Sequence, residues 1–266
     1  MKKYLTVFSL SFQNEFTYRL NFVLWRLRNV LRILMTFFLW TSIFSQNEIA
    51  FGYSKSQMMA YVFSVLIIST FVIAAPSNDN IGGEISNGDL SNYLLKPINY
   101  LKYWLTRDWA SKLLNMMFAV GEIGILFIIF RPQLSFTNSP ALLLLGIIAC
   151  ILASLIYYLI TKLAVMVSFW MPENTWGLMF LFLVFFEILS GTLFPLDVLP
   201  SWGLNLLRFT PFPYMVYFPI EILIGKFGVI ETMRILLFSL AWLVAGYFLV
   251  NKMWKAGLKT YSSAGR

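Results

Sequence analysis

The chain contains no histidine and one cysteine, Cys150, in 266 residues. The first absence excludes histidine metal sites, histidine-based triads and histidine proton relays together. The second excludes a disulfide framework. Charge is scarce as well: 12% of the residues are charged, where soluble domains carry roughly a quarter. No G-x-x-x-x-G-K-S/T run occurs, and Gly225-Lys226-Phe227 lacks both its spacing and its hydroxyl, so the chain has no P-loop nucleotide site. H-E-x-x-H, C-x-x-C and G-x-S-x-G are also missing. Metal-assisted and nucleophilic catalysis therefore have no recognisable apparatus here, and the chain is expected neither to be an enzyme nor to bind a cofactor or metal of its own.

What remains is apolar and aromatic, at 59% and 18% of the residues. About 20 predominantly apolar residues cross the roughly 30 Å hydrocarbon core as a helix, and several windows reach that length. The expectation is an all-α integral membrane protein with spans near residues 26–44, 58–75, 113–130, 141–160, 176–194 and 230–250. Nine Trp and 13 Tyr suit aromatic belts at the two interfaces. Residues 1–25 read as an amphipathic interfacial helix, with Tyr4, Leu5, Phe8 and Phe12 at helical spacing. Gln13, Asn14 and Glu15 interrupt its apolar run and no small-residue cleavage pattern follows, so it does not read as a cleaved signal. Arg26, Arg28 and Arg32 crowd the entrance of the first span, and residues 261–266 form a polar tail.

Six spans put both termini on one side of the membrane. The other side then receives only Lys55, Arg131, Arg208, Lys226 and Arg234 of the 20 basic residues. The positive-inside bias makes the terminal side cytoplasmic in a multi-pass cell-membrane protein, and it accounts for the net charge of +8 without nucleic acid.

Three polar features need a purpose. Glu122 and Glu187 lie inside expected spans, where an ionisable group is costly and faces a bundle interior or a cavity. They line a path together with Ser190 and Thr192, or they are structural carboxylates. Residues 76–112 form the longest polar interval. Pro76 ends the second span, Gly82, Gly83 and Gly88 interrupt helix, Asp89 caps a new turn, Lys96-Pro97 stops it, and Asn99 caps the next helix. That pattern gives a short cytoplasmic helix carrying Glu84 and Asp89 outward, either as a docking knob or as a plain solvated loop. Residues 195–228 are apolar yet broken by five prolines, with Leu199, Trp202, Leu206 and Phe209 on one helical face. This segment is a re-entrant or half-immersed element that acts as a gate, or an ordinary turn capping the bundle.

The run Glu84-Ile85-Ser86-Asn87-Gly88-Asp89-Leu90 followed by Tyr93-Leu94-Leu95-Lys96-Pro97 resembles the cytoplasmic signature of type-2 ABC transporter permeases, in the branch reading E-I-x-x-G-x-L-x-x-Y-L-L-K-P. Leu193-Phe194-Pro195-Leu196-Asp197-Val198-Leu199-Pro200 and Pro211-Phe212-Pro213-Tyr214 resemble its second signature, between the last two spans. The resemblance implies a six-span exporter subunit paired with an identical or different permease. It also implies a separate cytoplasmic ATPase dimer that holds the ATP and magnesium. On the same basis Glu84, Ile85, Gly88, Asp89, Leu90, Tyr93, Lys96 and Pro97 are expected to couple to that ATPase. Gly191, Phe194, Pro195, Asp197 and Pro200 are expected to form an outer gate. The alternative from the residues alone is an autonomous transporter or channel using Glu122 and Glu187.

Overall fold

A computed structural model of the chain describes residues 2–15, 19–46, 48–76 and 80–262. Its helices are α1 (Lys2–Glu15), α2 (Arg19–Ile43), α3 (Lys55–Ile73), α4 (Ile81–Ser86), α5 (Ser91–Leu94), α6 (Tyr100–Phe130), α7 (Pro140–Met166), α8 (Thr175–Leu189), α9 (Ser201–Leu207), α10 (Tyr217–Ile224) and α11 (Val229–Thr260). Between α2 and α3 a two-residue hairpin pairs β1 (Ile49–Ala50) with β2 (Tyr53–Ser54) in antiparallel register. Part of the junction expected within residues 1–25, residues 77–79 of the polar interval and residues 263–266 of the tail lie outside the described residues.

The molecule is an all-α membrane protein. Among the described residues, four helical stretches are long and apolar enough to cross a bilayer: α3, α6, Pro140–Phe169 (α7 with a short 3-10 extension) and α11. The two other expected spans fall short of that standard for different reasons. Three arginines dilute the first half of α2. The 15 residues of α8 reach only about 23 Å at 1.5 Å per residue. That helix stops at Leu189 because Gly191 turns the chain at φ +90°, five residues before the expected end.

The bundle is built round α3. Ser54 caps its start by accepting from the Gln57 amide while the Gln57 side chain accepts from Ser54, a reciprocal capping box. An interior helix can be apolar all round, and α3 is buried from Met58 to Val72 apart from Ile67 and Phe71. It packs against α2, α6, α7 and α10, while α11 lies along α7 and α1 along α6. The outer faces of α6 and α11 expose Met117, Ile125, Ile128, Leu237, Phe248 and other large apolar side chains, which suits lipid as the solvent.

A second, smaller core lies apart from the first. Ile81, Ile85, Leu90, Tyr100, Trp104, Met166, Phe169 and Val250 close on one another where α4, α6, α7 and α11 meet. It exists because α7 and α11 run further than apolarity alone suggested. The first continues past residue 160 and the second ten residues past 250, bringing Trp254 and Leu258 over the polar interval. Lys162, expected just beyond its span, is inside α7 and buried. Its ammonium lies 5.7 Å from the Trp104 ring centre and 5.1 Å from that of Tyr158.

Candidate functional site

The polar interval begins at the end of α3, whose last carbonyls have no partner within the helix. Lys112 on α6 reaches them, fully buried, and its Nζ donates to the carbonyls of Val72 (2.7 Å) and Ala74 (2.8 Å). Ser111 donates to the next one, Ala75, at 2.8 Å. Asp108, one turn earlier, lies 3.4 Å from the same ammonium. A buried lysine without such acceptors and a carboxylate would be severely penalised. Here the cation serves as the C-terminal cap of another helix.

Beyond this anchor, Asn80 caps α4 by accepting from the Gly83 amide at 3.2 Å. Ile81, Ile85 and Leu90 turn into the second core. The expectation that Glu84 points outward is corrected: it is half-buried, and its Oε2 accepts from the Tyr100 hydroxyl at 2.5 Å. The reason is helical phase, because Glu84 precedes the inward-facing Ile85 and sits over the start of α6. Burial, then the Glu84 carboxylate, pushes the neighbouring Tyr93 phenol upward from its ordinary value.

Gly88 then reverses the chain at φ +84°, a conformation costly for residues with a Cβ. Tyr261, just past the end of α11, holds that reversal from both sides. Its hydroxyl donates to the Gly88 carbonyl and accepts from the Ser91 amide at 3.0 Å. Asp89, Leu94, Leu95, Lys96 and Pro97 are left exposed, Leu95 at 87%. The exit is pinned by α1, where Lys3 donates to the Pro97 carbonyl and Tyr4 accepts from the Asn99 amide. Asn99 caps α6, its side chain accepting from the Lys102 amide at 2.9 Å.

Both carboxylates expected at membrane depth have basic partners on α2. Arg26 grips Glu122 at two points, Nε donating to Oε1 at 2.6 Å and the terminal nitrogen to Oε2. Both side chains are largely buried. Arg32 lies 3.4 Å from Glu187 and also donates to Ser69 at 3.3 Å. Ser190 and Thr192 are brought together, with their hydroxyls 3.3 Å apart and Thr192 donating to the Glu187 carbonyl at 2.7 Å. The Thr192 hydroxyl thereby satisfies a carbonyl at the end of α8, and the buried Ser190 hydroxyl backs it.

At the opposite end of α3 the chain gathers a compact charged cluster. The Tyr53 hydroxyl lies 2.9 and 3.0 Å from the two oxygens of Asp197 and 2.7 Å from Oε1 of Glu221. Lys226 pairs with Asp197, stands 3.8 Å from Oε2 of Glu221, and sits 3.5 Å over the Tyr53 ring centre. Glu221 is completely buried. Burial raises its carboxyl to about 7, against the opposing pull of Lys226 and of the Tyr53 hydrogen bond. Next to the cluster Tyr61 donates to the Gly191 carbonyl at 2.6 Å. A Cβ on Gly191 would come within 2.7 Å of that hydroxyl and 2.9 Å of the Tyr217 Cβ, so this turn tolerates only glycine. Pro195 is buried, Phe194 half-buried and Pro200 exposed on the same segment.

Sequence reasoning missed Tyr53, Glu221, Lys226, Lys112 and Tyr261. A signal existed for Glu221, a lone acid inside the apolar run of α10. None existed for the tyrosines, whose partners are up to 173 residues away. Two comparisons with known proteins complete the picture. The family described as "ABC-2 family transporter protein" matches residues 30–265. No curated protein matches the chain.

Proposed function

The chain belongs to the ABC-2 transporter family, and on that premise we propose that it is the six-span permease subunit of an exporter driven by a separate cytoplasmic ATPase. As a multi-pass membrane permease it forms half of a translocation pathway with a second permease, identical or different. ATP and magnesium reside on the ATPase, and this chain contributes no catalytic group. Helices α2 and α8 supply the two spans beyond the four that are both long and apolar enough to cross. Two of the arginines on α2 are neutralised by Glu122 and Glu187, which removes much of the cost of placing them at membrane depth. Both termini, α1 as an interfacial helix, and the α4–α5 segment then lie on the cytoplasmic side of the cell membrane. Residues 195–228 form re-entrant elements outside.

The observation that carries this reading is the division of labour in the α4–α5 segment. Its inner residues, Ile81, Ile85 and Leu90, are spent on a core shared with α6, α7 and α11. Its outer ones, Asp89, Leu94, Leu95, Lys96 and Pro97, are offered to a partner while the backbone is braced by Tyr261 and Lys3. A braced, partly apolar knob is suited to receiving force from a soluble subunit. Ile85, Gly88, Leu90 and Tyr93 shape it, and Glu84 orients it through Tyr100. On the far side Gly191, Phe194, Pro195, Asp197 and Pro200 belong to the outer gate. Ser190, Thr192, Glu122 and Glu187 hold helices beside the path. The space at Arg32 and Thr192 is only ≈10 Å³, which supports a pathway between subunits.

The autonomous-transporter reading needs Glu122 and Glu187 free to exchange an ion. A carboxylate clamped by a guanidinium at two points is poorly suited to that. The test is co-purification with the ATPase and measurement of its hydrolysis rate in lipid. Asp89→Lys with Leu95→Asp is expected to abolish co-purification and stimulation. Stimulation at the wild-type level would refute the docking role.

A further inference from the structure

A cavity of ≈380 Å³ lies between the end of α9, α10 and the first turns of α11. Arg208, Arg234 and Glu231 enter it, and Phe209, Tyr214 and Phe238 supply aromatic wall. Its framework is rigid. The Tyr214 hydroxyl donates to the Arg208 carbonyl at 2.9 Å, and the Tyr214 ring packs on Phe218 at 4.8 Å and on Phe238 at 6.4 Å. Two arginines and a glutamate in one cavity would ordinarily neutralise each other. Glu231 and Arg234 even stand three residues apart on α11, a spacing that favours pairing. Yet among the described residues neither guanidinium has an ion-pair partner, and Glu231 has none either. All three side chains are exposed, so two cationic forks and one anion line the same open cavity and are available to a ligand from outside.

The surroundings specify the occupant. Trp202, Leu206 and Phe209 project exposed from α9 and the residues after it. Ile230, Met233 and Leu237 do so from α11. That apolar collar matches the boundary between headgroups and acyl chains, where aromatic and arginine side chains concentrate. We infer that this cavity is a binding site for a membrane phospholipid with an ammonium-bearing headgroup. Its phosphodiester lies between Arg208 and Arg234, its ammonium against Glu231, and its acyl chains along Leu237 and Phe238. Guanidinium forks are well matched to phosphate oxygens, and a zwitterionic headgroup uses the carboxylate that a simple anion would be repelled by. The inference rests on the placement of residues 195–228 at the bilayer interface.

The test is native mass spectrometry of the full-length chain, delipidated in detergent. It is titrated in turn with phosphatidylethanolamine, phosphatidylglycerol, glycerophosphoethanolamine and inorganic phosphate. One phosphatidylethanolamine is expected to be retained saturably. Arg208→Gln with Arg234→Gln should weaken retention by at least about tenfold, and Glu231→Gln should erase the preference over phosphatidylglycerol. The Arg208→Lys, Arg234→Lys pair keeps both charges and should retain the lipid within a few-fold, which separates binding from folding. Undiminished retention in the glutamine pair would overturn the site. Equal binding of the soluble headgroup or of phosphate would overturn the lipid as its occupant. Quenching of Trp202 fluorescence by brominated phospholipid reads the interfacial placement independently, and its absence would remove the premise.

Discussion

The single hydroxyl proton of Tyr53 faces two carboxylates, Glu221 at 2.7 Å and Asp197 at 2.9 Å. One proton cannot serve both contacts. A proton on Glu221 resolves the conflict, since Tyr53 then donates to Asp197 while accepting from Glu221, and Lys226 balances Asp197. Tyr217 and Tyr61 also face this point, and burial favours the neutral phenol of Tyr217.

A pH dependence with a definite sign follows. Glu221 is raised from 4.5 to about 7, so the folded chain holds a proton that the unfolded chain releases. Its stabilising effect is complete below about pH 4.5 and is lost as pH rises through about 7, by about 3 kcal/mol in all. Glu221→Gln keeps a neutral side chain at every pH, so its melting temperature should lack that decline. Parallel melting profiles for wild type and variant across this interval would refute the assignment.

The Arg26–Glu122 pair should show the asymmetry of buried charges. Glu122→Gln leaves Arg26 uncompensated and should destabilise by about 3–5 kcal/mol, whereas Arg26→Met with Glu122→Leu should cost much less. Urea or thermal unfolding of all four members of the cycle measures this. A double variant weaker than either single one would show that the pair itself drives assembly of α2 on α6.

Lys112→Met keeps the stem of the side chain and removes three donors. The carbonyls of Val72 and Ala74 then lose their partners, at about 1–3 kcal/mol each. Hydrogen exchange should accelerate at the end of α3 and through α4, with little change in α8. Uniform acceleration over the whole chain would instead mean global loosening.

Tyr261→Phe keeps the ring against Phe169 but deletes the hydroxyl that bridges Gly88 and Ser91. Proteolysis within residues 87–99 should quicken while the melting temperature moves by about 1 kcal/mol equivalent or less. ATPase stimulation should fall with binding of the ATPase retained. That outcome separates bracing from docking, for which Leu95→Asp is the contrasting variant.

The fold was legible where one residue type acts locally. Asn99 caps α6 because its side chain reaches the Lys102 amide, a three-residue matter visible in the sequence. Pro76 likewise announced the end of α3, which falls at Ile73. The charged pairs were half legible: Glu122 and Glu187 stand out in apolar runs, but Arg26 and Arg32 are 96 and 155 residues away. Nothing local says whether arginines at the head of an apolar stretch reach outward to headgroups or inward to acids. Glu84 misled because exposure was read from polarity, while a nearby phenol gave it an inward partner. Apolar windows also misjudged length, since α7 and α11 continue as amphipathic helices once a second core is there to receive them.

Helix α3 is secured at both ends by groups from other elements, Lys112 and Ser111 at one and the Tyr53–Asp197–Glu221 cluster at the other. Its 19 residues span roughly 28 Å, which sets the distance between those two fastenings. An insertion of a single residue would shift one fastening by about 1.5 Å and rotate it by about 100°, detaching it whichever end moved. Lengthening is more easily absorbed at residues 131–136, where no helix runs. Natural variation in the length of this chain should therefore collect in its connections and spare α3 altogether.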